Sequence, residues 1–324
     1  MIITRAPLRV SFFGGGTDYY YFNKLGYTGT TLSCTINKYL YLTLNENFNY
    51  KYKLNYSKFE LSNQLSNIKH LYFKKAFKNF NLQNVELSCV SDLSSGKGLS
   101  SSSAFTACLL LAIHKYKKKI VDNKNFWNQV YNFEKYVVKQ NCGMQDQYII
   151  CNGGLRLVNF YSEKRVETVD NLNLSKSLLN FFKKNIILVD TKLKRNFHLI
   201  HNQQEKNKNT NIKNLLLLKN MANEAYKHLL NEDYKIFSYL LAESWKLKKT
   251  LSDEIIKQKK LKELEEYLLS FKPWGIKLLG AGGGGMFLVA GDQNTLIKIK
   301  KSIYKLNSYQ FLPTADKASI LYAN

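Results

Sequence analysis

Residues 92–104 read Asp-Leu-Ser-Ser-Gly-Lys-Gly-Leu-Ser-Ser-Ser-Ser-Ala and lead directly into the apolar run Phe-Thr-Ala-Cys-Leu-Leu-Leu-Ala-Ile at 105–113. Small residues ending in a serine cluster, then a helix-forming apolar segment, describe a helix N-terminus reached through a tight, amide-rich loop. Such an end carries unpaired N–H groups and a partial positive charge, so it attracts phosphate. Glycine lets the main chain bend and approach where a side chain would clash. The hydroxyls of Ser100–Ser103 can add phosphate or metal contacts. Taken alone, the segment fits either a phosphate-binding turn or an ordinary capped helix after a flexible loop.

The chain around it has 324 residues, 45% hydrophobic and 14% aromatic, which suffices for two domains and excludes a disordered polymer. No apolar run approaches the roughly 20 residues that span a bilayer. Arg9 interrupts the first apolar stretch, so a secretory signal is not expected either. Cys34, Cys89, Cys108, Cys142 and Cys151 are odd in number and form no CxxC, a pattern of free thiols in a reducing cytoplasm. The net charge of +24 would suit nucleic acid, an anionic membrane or phosphorylated small molecules. The lysines are spread out, however, and the clusters at 117–119 and 257–260 suit solvated helix ends. Small phosphorylated ligands are therefore the expected partners, with neither nucleic acid nor membrane.

Hydrophobic periodicity predicts strands at 2–5, 8–13, 30–36, 39–45, 85–90, 155–160, 185–190, 275–279, 286–290 and near 317–322. Helices are predicted at 63–79, 102–116, 124–139, 211–230, 234–248, 253–270 and 293–305. Strands and helices mix without regular βα alternation. The class is α+β, and the second half resembles a split βαβ sheet.

Glycines cluster at 14–16, 96–98 and 280–285. Gly280-x-Gly282-x-x-Gly285 formally matches a dinucleotide fingerprint, but a strand follows it where a helix is needed. No Walker A loop exists, because Gly98 follows Gly96-Lys97. Asp146, in Met144-Gln145-Asp146-Gln147-Tyr148, is a candidate general base, metal ligand or helix cap. Glu134 lies on the preceding predicted helix. Arg9 and Asp18 flank Gly14-Gly15-Gly16-Thr17, which reads as a polyol-binding rim or a capped hairpin turn.

Together these segments resemble the GHMP small-molecule kinases. Arg5–Asp18 is similar to their first motif, Gly96–Ala104 to their phosphate loop, and Leu279–Gly285 to their third motif, in the same order. Gly14-Gly15-Gly16-Thr17-Asp18 and residues 144–148 are similar to the subgroup acting on D-glycero-D-manno-heptose 7-phosphate. Ser94 and Ser95 stand where a proline is usual, Ser100 where a glycine is, and Lys192 where a glycine follows the threonine.

The resemblance implies a ribosomal-protein-S5-like N-terminal domain over 1–184 and a ferredoxin-like C-terminal domain over 185–324, with a homodimer among the possible assemblies. It implies ATP across Gly96, Lys97, Gly98, Leu99, Ser100, Ser101, Ser102 and Ser103, and Mg²⁺ held by Ser102 and Glu134. Asp146 becomes the base that activates an anomeric hydroxyl, with Arg9 beside it. Asp18, Gly15, Gly16, Thr17, Gly143, Gly283 and Gly284 become the sugar site. Arg195 is either the cation for a second phosphate or a surface arginine. Other expectations are a kinase for a fucose- or galactose-like sugar or, in another class, a basic nucleic-acid binder.

Overall fold

The computed structural model describes residues 1–193, 211–302 and 307–324. Two sheets carry the chain. The first has eight strands, and its spine is the antiparallel pair β1 (Ile2–Phe13) and β2 (Gly29–Glu46). Each absorbs two of the strands predicted separately. β1 is joined across Pro7, where the register shifts, a place that tolerates the missing N–H. Burial alternates along β1 as far as Arg5 and is continuous beyond it. That change marks where the strand becomes covered on both faces.

A hairpin of β3 (Tyr52–Asn55) and β4 (Phe59–Ser62) lies beside β5 (Val85–Ser91), and β5 pairs with the far half of β2. The near half of β2 pairs instead with β6 (Leu155–Phe160), which is followed outward by β7 (Val166–Leu172). The eighth strand comes from the other end of the sequence. β12 (Ser319–Ala323) returns to pair with β1.

The first sheet is covered by α2 (Leu71–Phe80), α3 (Ser101–Tyr116), α4 (Phe126–Asn132) and α5 (Gln145–Asn152), while the short α1 (Tyr20–Lys24) precedes β2. Helix α3 is buried continuously from Ser103 to Ile113. Its all-round apolar sequence therefore makes it a core helix rather than a surface one. Helix α4 runs on as a π-helical turn, Phe133–Val138, within the single predicted helix 124–139.

After α6 (Lys176–Asn185) the second sheet begins. Its order is β11 (Ser308–Tyr309), β8 (Ile186–Asp190), β10 (Met286–Ala290), β9 (Gly275–Leu278), all antiparallel. Taken in sequence order this is 4-1-3-2, the split βαβ arrangement that the sequence pattern predicts. Helices α7 (Ile212–Leu230), α8 (Tyr234–Lys249) and α9 (Lys259–Ser270) connect β8 to β9, and α10 (Gln293–Ser302) follows β10. The fold is α+β, as expected. No helix among the described residues is long and apolar enough to cross a membrane.

A knot of aromatic rings joins β1 to the second half. Phe12 and Phe13 lie 5.6 and 5.4 Å from Phe237 of α8, and Phe12 lies 5.7 Å from Phe182 of α6. A register irregularity between Ser11 and Phe13 lets both consecutive rings be fully buried. Removing the shared ring should unlock this junction. Phe237→Ala is expected to lower stability by about 3–5 kcal/mol in urea unfolding followed by tryptophan fluorescence.

Candidate active site

Arg9 points inward from β1 and is almost completely buried. Its Nε donates to Asp146 Oδ1 at 2.7 Å and its Nη1 to the carbonyl of Gly98 at 2.7 Å. Its main-chain N–H donates to the carbonyl of Leu99 at 3.1 Å. One strand residue thus holds both the phosphate loop and the acid. Asp146 lies in the first turn of α5, where a negative charge is favoured. It is not the helix cap: that position is Met144, which has no side-chain cap bond. The carboxylate is instead paired with a guanidinium and remains partly open to solvent.

The loop after β1 is built around Asp18. One of its oxygens accepts the amide of Gly16 at 3.0 Å and the other the amide of Gln145 at 3.1 Å. Burial pushes the Asp18 carboxyl up, and the neighbouring negative charge of Asp146 pushes it further. Gly143 has no alternative residue here, because a Cβ would stand 2.0 Å from Asp18 Oδ2. Thr17 is fully buried; its hydroxyl donates to Gly14 and Thr30 carbonyls and accepts the Thr30 amide. Thr17 therefore shapes the wall from within. Gly15 faces Ser11 Oγ and Gln145, which are themselves joined at 2.8 Å.

Gly96, Gly98 and Ser100 of the phosphate loop all have positive φ. A Cβ on Gly98 would stand 2.4 Å from the Leu279 carbonyl, so this glycine allows the phosphate loop to touch the third glycine segment. Ser100, the departure from glycine, sits left-handed at φ 57°. Leu99 is buried beneath the loop, and Ser101 lies half-buried at the start of α3.

Glu134, only 1% exposed, lies in the π turn. It accepts from Ser103 Oγ at 3.0 Å, Thr106 Oγ1 at 2.8 Å, and Gln147 Nε2. Burial pushes its carboxyl up to about 7, against the pull of those three bonds. Neutral donors surround it, and none of the ion pairs among the described residues includes it. That donor set fits a divalent cation, which takes one or two carboxylates and otherwise phosphate oxygens and water.

Ser102 does not face Glu134. Ser102 is exposed, while Ser103 and Thr106, three residues apart on one helix face, meet the carboxylate. Sequence matching selects the second serine after Ser100, whereas the helical turn brings the third one to Glu134.

The third glycine segment is fixed by its own main chain. Gly283 donates its amide to the Ile255 carbonyl at 2.9 Å and accepts Gln258 Nε2 at 2.6 Å. Both of its polar groups are thus engaged, leaving Gly284 as the less constrained of the two glycines expected to meet sugar. Thr191 clasps Gly285, donating its hydroxyl to the carbonyl at 2.9 Å and accepting the amide at 3.0 Å. Arg195 lies outside the described residues. Gln145, Gln147, Asp190 and Lys277 are site neighbours that sequence reasoning missed. The buried polar side chains of Gln145 and Gln147 flanking Asp146 were the available signal.

Residues 49–154 match the family described as GHMP kinases N terminal domain. The chain is 27% identical over 326 residues to a D-glycero-alpha-D-manno-heptose 7-phosphate kinase of Campylobacter jejuni, covering 95% of this chain and 94% of the relative. It superposes on a D-glycero-D-manno-heptose 1-phosphate kinase from Bacteroides thetaiotaomicron with a TM-score of 0.80 at 19% identity, over 100% of both chains. A Lactococcus lactis galactokinase gives 0.71 at 16% identity, over 98% of this chain and 94% of that one. The fold is the one these kinases share. The chain is similar to the GHMP kinases over nearly its whole length.

The left-handed serine gives a test of local strain. Ser100 Oγ is buried without a hydrogen-bond partner among the described residues. Ser100→Gly is expected to stabilise the protein by about 1 kcal/mol in denaturant titration. A lower midpoint would show that the hydroxyl contributes to the fold.

Proposed function

We propose that this protein transfers the γ-phosphoryl group of ATP to the anomeric hydroxyl of D-glycero-D-manno-heptose 7-phosphate, giving the 1,7-bisphosphate. The observation that carries the reading is the Arg9 bridge, which sets Asp146 beside the phosphate loop. The 27% identity to the Campylobacter jejuni heptose 7-phosphate kinase supports the choice of sugar.

In this reading the triphosphate lies along Gly96–Ser103, against loop amides and the N-terminus of α3. Asp146 accepts the anomeric hydroxyl proton. The sugar oxygen forms its bond to the γ-phosphorus as the bond to the β,γ-bridging oxygen breaks, and ADP leaves. Arg9 orients Asp146 and adds positive charge where the transferring group accumulates negative charge. Asp18 and the Gly14–Thr17 loop define the sugar wall, and Gly284 closes it from the second sheet.

Glu134 is the carboxylate that would hold Mg²⁺, with Ser102 at the solvent side of the α3 turn that carries Ser103. When bound, the ion supplies charge neutralisation for the phosphate oxygens. Its uptake requires the Glu134 carboxylate ionised, so metal-dependent activity should fall as pH drops through about 7. Ser102→Ala should raise the Mg²⁺ concentration needed for half-maximal activity, and an unchanged requirement would remove Ser102 from the metal site.

ATP consumption with Mg²⁺ should be confined to heptose 7-phosphate in a panel that includes mannose 6-phosphate, free fucose and free galactose. Turnover of a free hexose would keep the kinase and discard the sugar. Salt-dependent oligonucleotide binding without turnover would discard both. Asp146→Asn should lower kcat by about 10²–10⁴-fold while leaving nucleotide affinity in place; near-normal turnover would exclude the proposed base.

A further inference from the structure

The phosphate loop is fastened to the second sheet by a charge pair. Lys97 Nζ lies 2.6 Å from Asp190 Oδ1, and the two side chains are 15% and 7% exposed. Asp190 is the last residue of β8. The same Oδ1 accepts the amide of Lys192 at 2.8 Å, folding residues 190–192 into a side-chain-closed turn. Lys192 takes φ 54° in that turn, the left-handed conformation that a glycine would adopt without strain. Between them, Thr191 clasps Gly285 through both its hydroxyl and its amide.

The other end of the pair is equally constrained. The residue after Lys97 is Gly98, whose carbonyl accepts from Arg9 and whose Cα faces the Leu279 carbonyl. A short turn at the end of β8 therefore grips two catalytic-site segments together. Asp190 holds the phosphate loop through Lys97, and Thr191 holds the third glycine segment.

A loop lysine beside ATP invites the reading of a direct phosphate ligand. The geometry argues otherwise. If Lys97 left for a phosphate, it would strand a nearly buried carboxylate with only a main-chain amide on the oxygen it had occupied. Breaking one side of a buried pair is far more unfavourable than the pair itself is favourable. The phosphates already have loop amides and a helix end to receive them.

We propose that Lys97 and Asp190 are positioning residues: their ion pair holds the phosphate loop in register with Arg9 and with the third glycine segment, and Lys97 acts on ATP through Asp190 rather than by touching it. This rests on the kinase reading for its consequence, though not for the pair itself. The pair makes Asp190, which lies on the second sheet and outside every motif of the sequence, a determinant of nucleotide affinity.

A double-mutant cycle tests it, using Lys97→Met, Asp190→Asn and the double variant in the full-length protein. Two readouts separate the pair from its use. In nucleotide-free protein, urea unfolding should show the two substitutions coupled, the double variant being no less stable than the weaker single variant. Additive losses there would overturn the pair whatever the enzyme's substrate.

Calorimetric titration with Mg²⁺ and a non-hydrolysable ATP analogue then measures the consequence. Each single variant should bind about tenfold more weakly and the double variant no more weakly than either, the non-additivity expected of residues in contact. In turnover with the accepted sugar, KM for ATP should rise by a similar factor with kcat within about twofold, a split that general loss of structure would not produce. Weakened binding in Lys97→Met with unchanged or tighter binding in Asp190→Asn would overturn the proposal in favour of a direct phosphate contact. If the wild-type protein binds no analogue, the kinase reading fails and with it the proposed consequence, while the unfolding cycle still decides the pair.

Discussion

The buried guanidinium of Arg9 is the interaction on which the site depends. A buried charge must be paired and hydrogen-bonded, or the fold would carry its desolvation uncompensated. Arg9 answers both needs with groups drawn from distant parts of the sequence: the carboxylate of Asp146 on α5 and the carbonyl of Gly98 in the phosphate loop. Its rigid fork fixes directions as well as distances. A lysine at this place would supply charge without holding both partners in one plane. The long pairing of β1 with β2 gives the guanidinium a foundation that surface loops lack.

Around this centre, close main-chain contacts exclude side chains. Gly98 meets Leu279 across the two halves, and Gly143 meets Asp18 within the first. Both positions bring polar groups together at distances that a methyl group would prevent. The three glycine clusters are therefore parts of one construction. Each removes bulk so that carbonyls, amides and a carboxylate can reach across segments. The Phe12, Phe13, Phe182 and Phe237 rings then lock the halves on the apolar side of the same junction.

The architecture was legible where local sequence and tertiary environment agreed. The all-apolar α3 and the β8–β10 core strands follow from runs that leave little choice, whereas the fourth strand of the second sheet, the two-residue β11, was not predicted and the predicted strand near 317–322 joins the first sheet instead. The hairpin β3–β4 was not legible, because its strands are four residues each and largely polar, and their pairing with β5 depends on distant residues. Strand β7 alternates exposed and half-buried side chains without an apolar stripe to announce it. In the site, Asp146, Arg9 and Glu134 stand out by chemical type within short motifs. Ser103 does not: its facing toward Glu134 depends on where α3 begins and on the π turn opposite. The Lys97–Asp190 pair was equally hidden, since its partners are 93 residues apart, one in the phosphate loop and the other at the end of β8.

The electrostatics of the cleft also change the meaning of the overall charge. A net +24 spread over the surface says little about recognition. The interior is more selective. Lys277 of β9 is 3% exposed and donates to the Phe12 carbonyl, and burial pushes its ammonium well below the usual lysine range, with the positive charges of Lys248 and Arg9 adding to the shift. Arg9 is balanced by Asp146, yet Lys277 forms no ion pair among the described residues. Burial therefore favours the neutral amine at Lys277 and the neutral carboxyl at Glu134, so neither interior group holds its charge without a partner. In the proposed kinase reading a divalent cation would restore the Glu134 charge, a selectivity that the lysine-rich exterior does not supply.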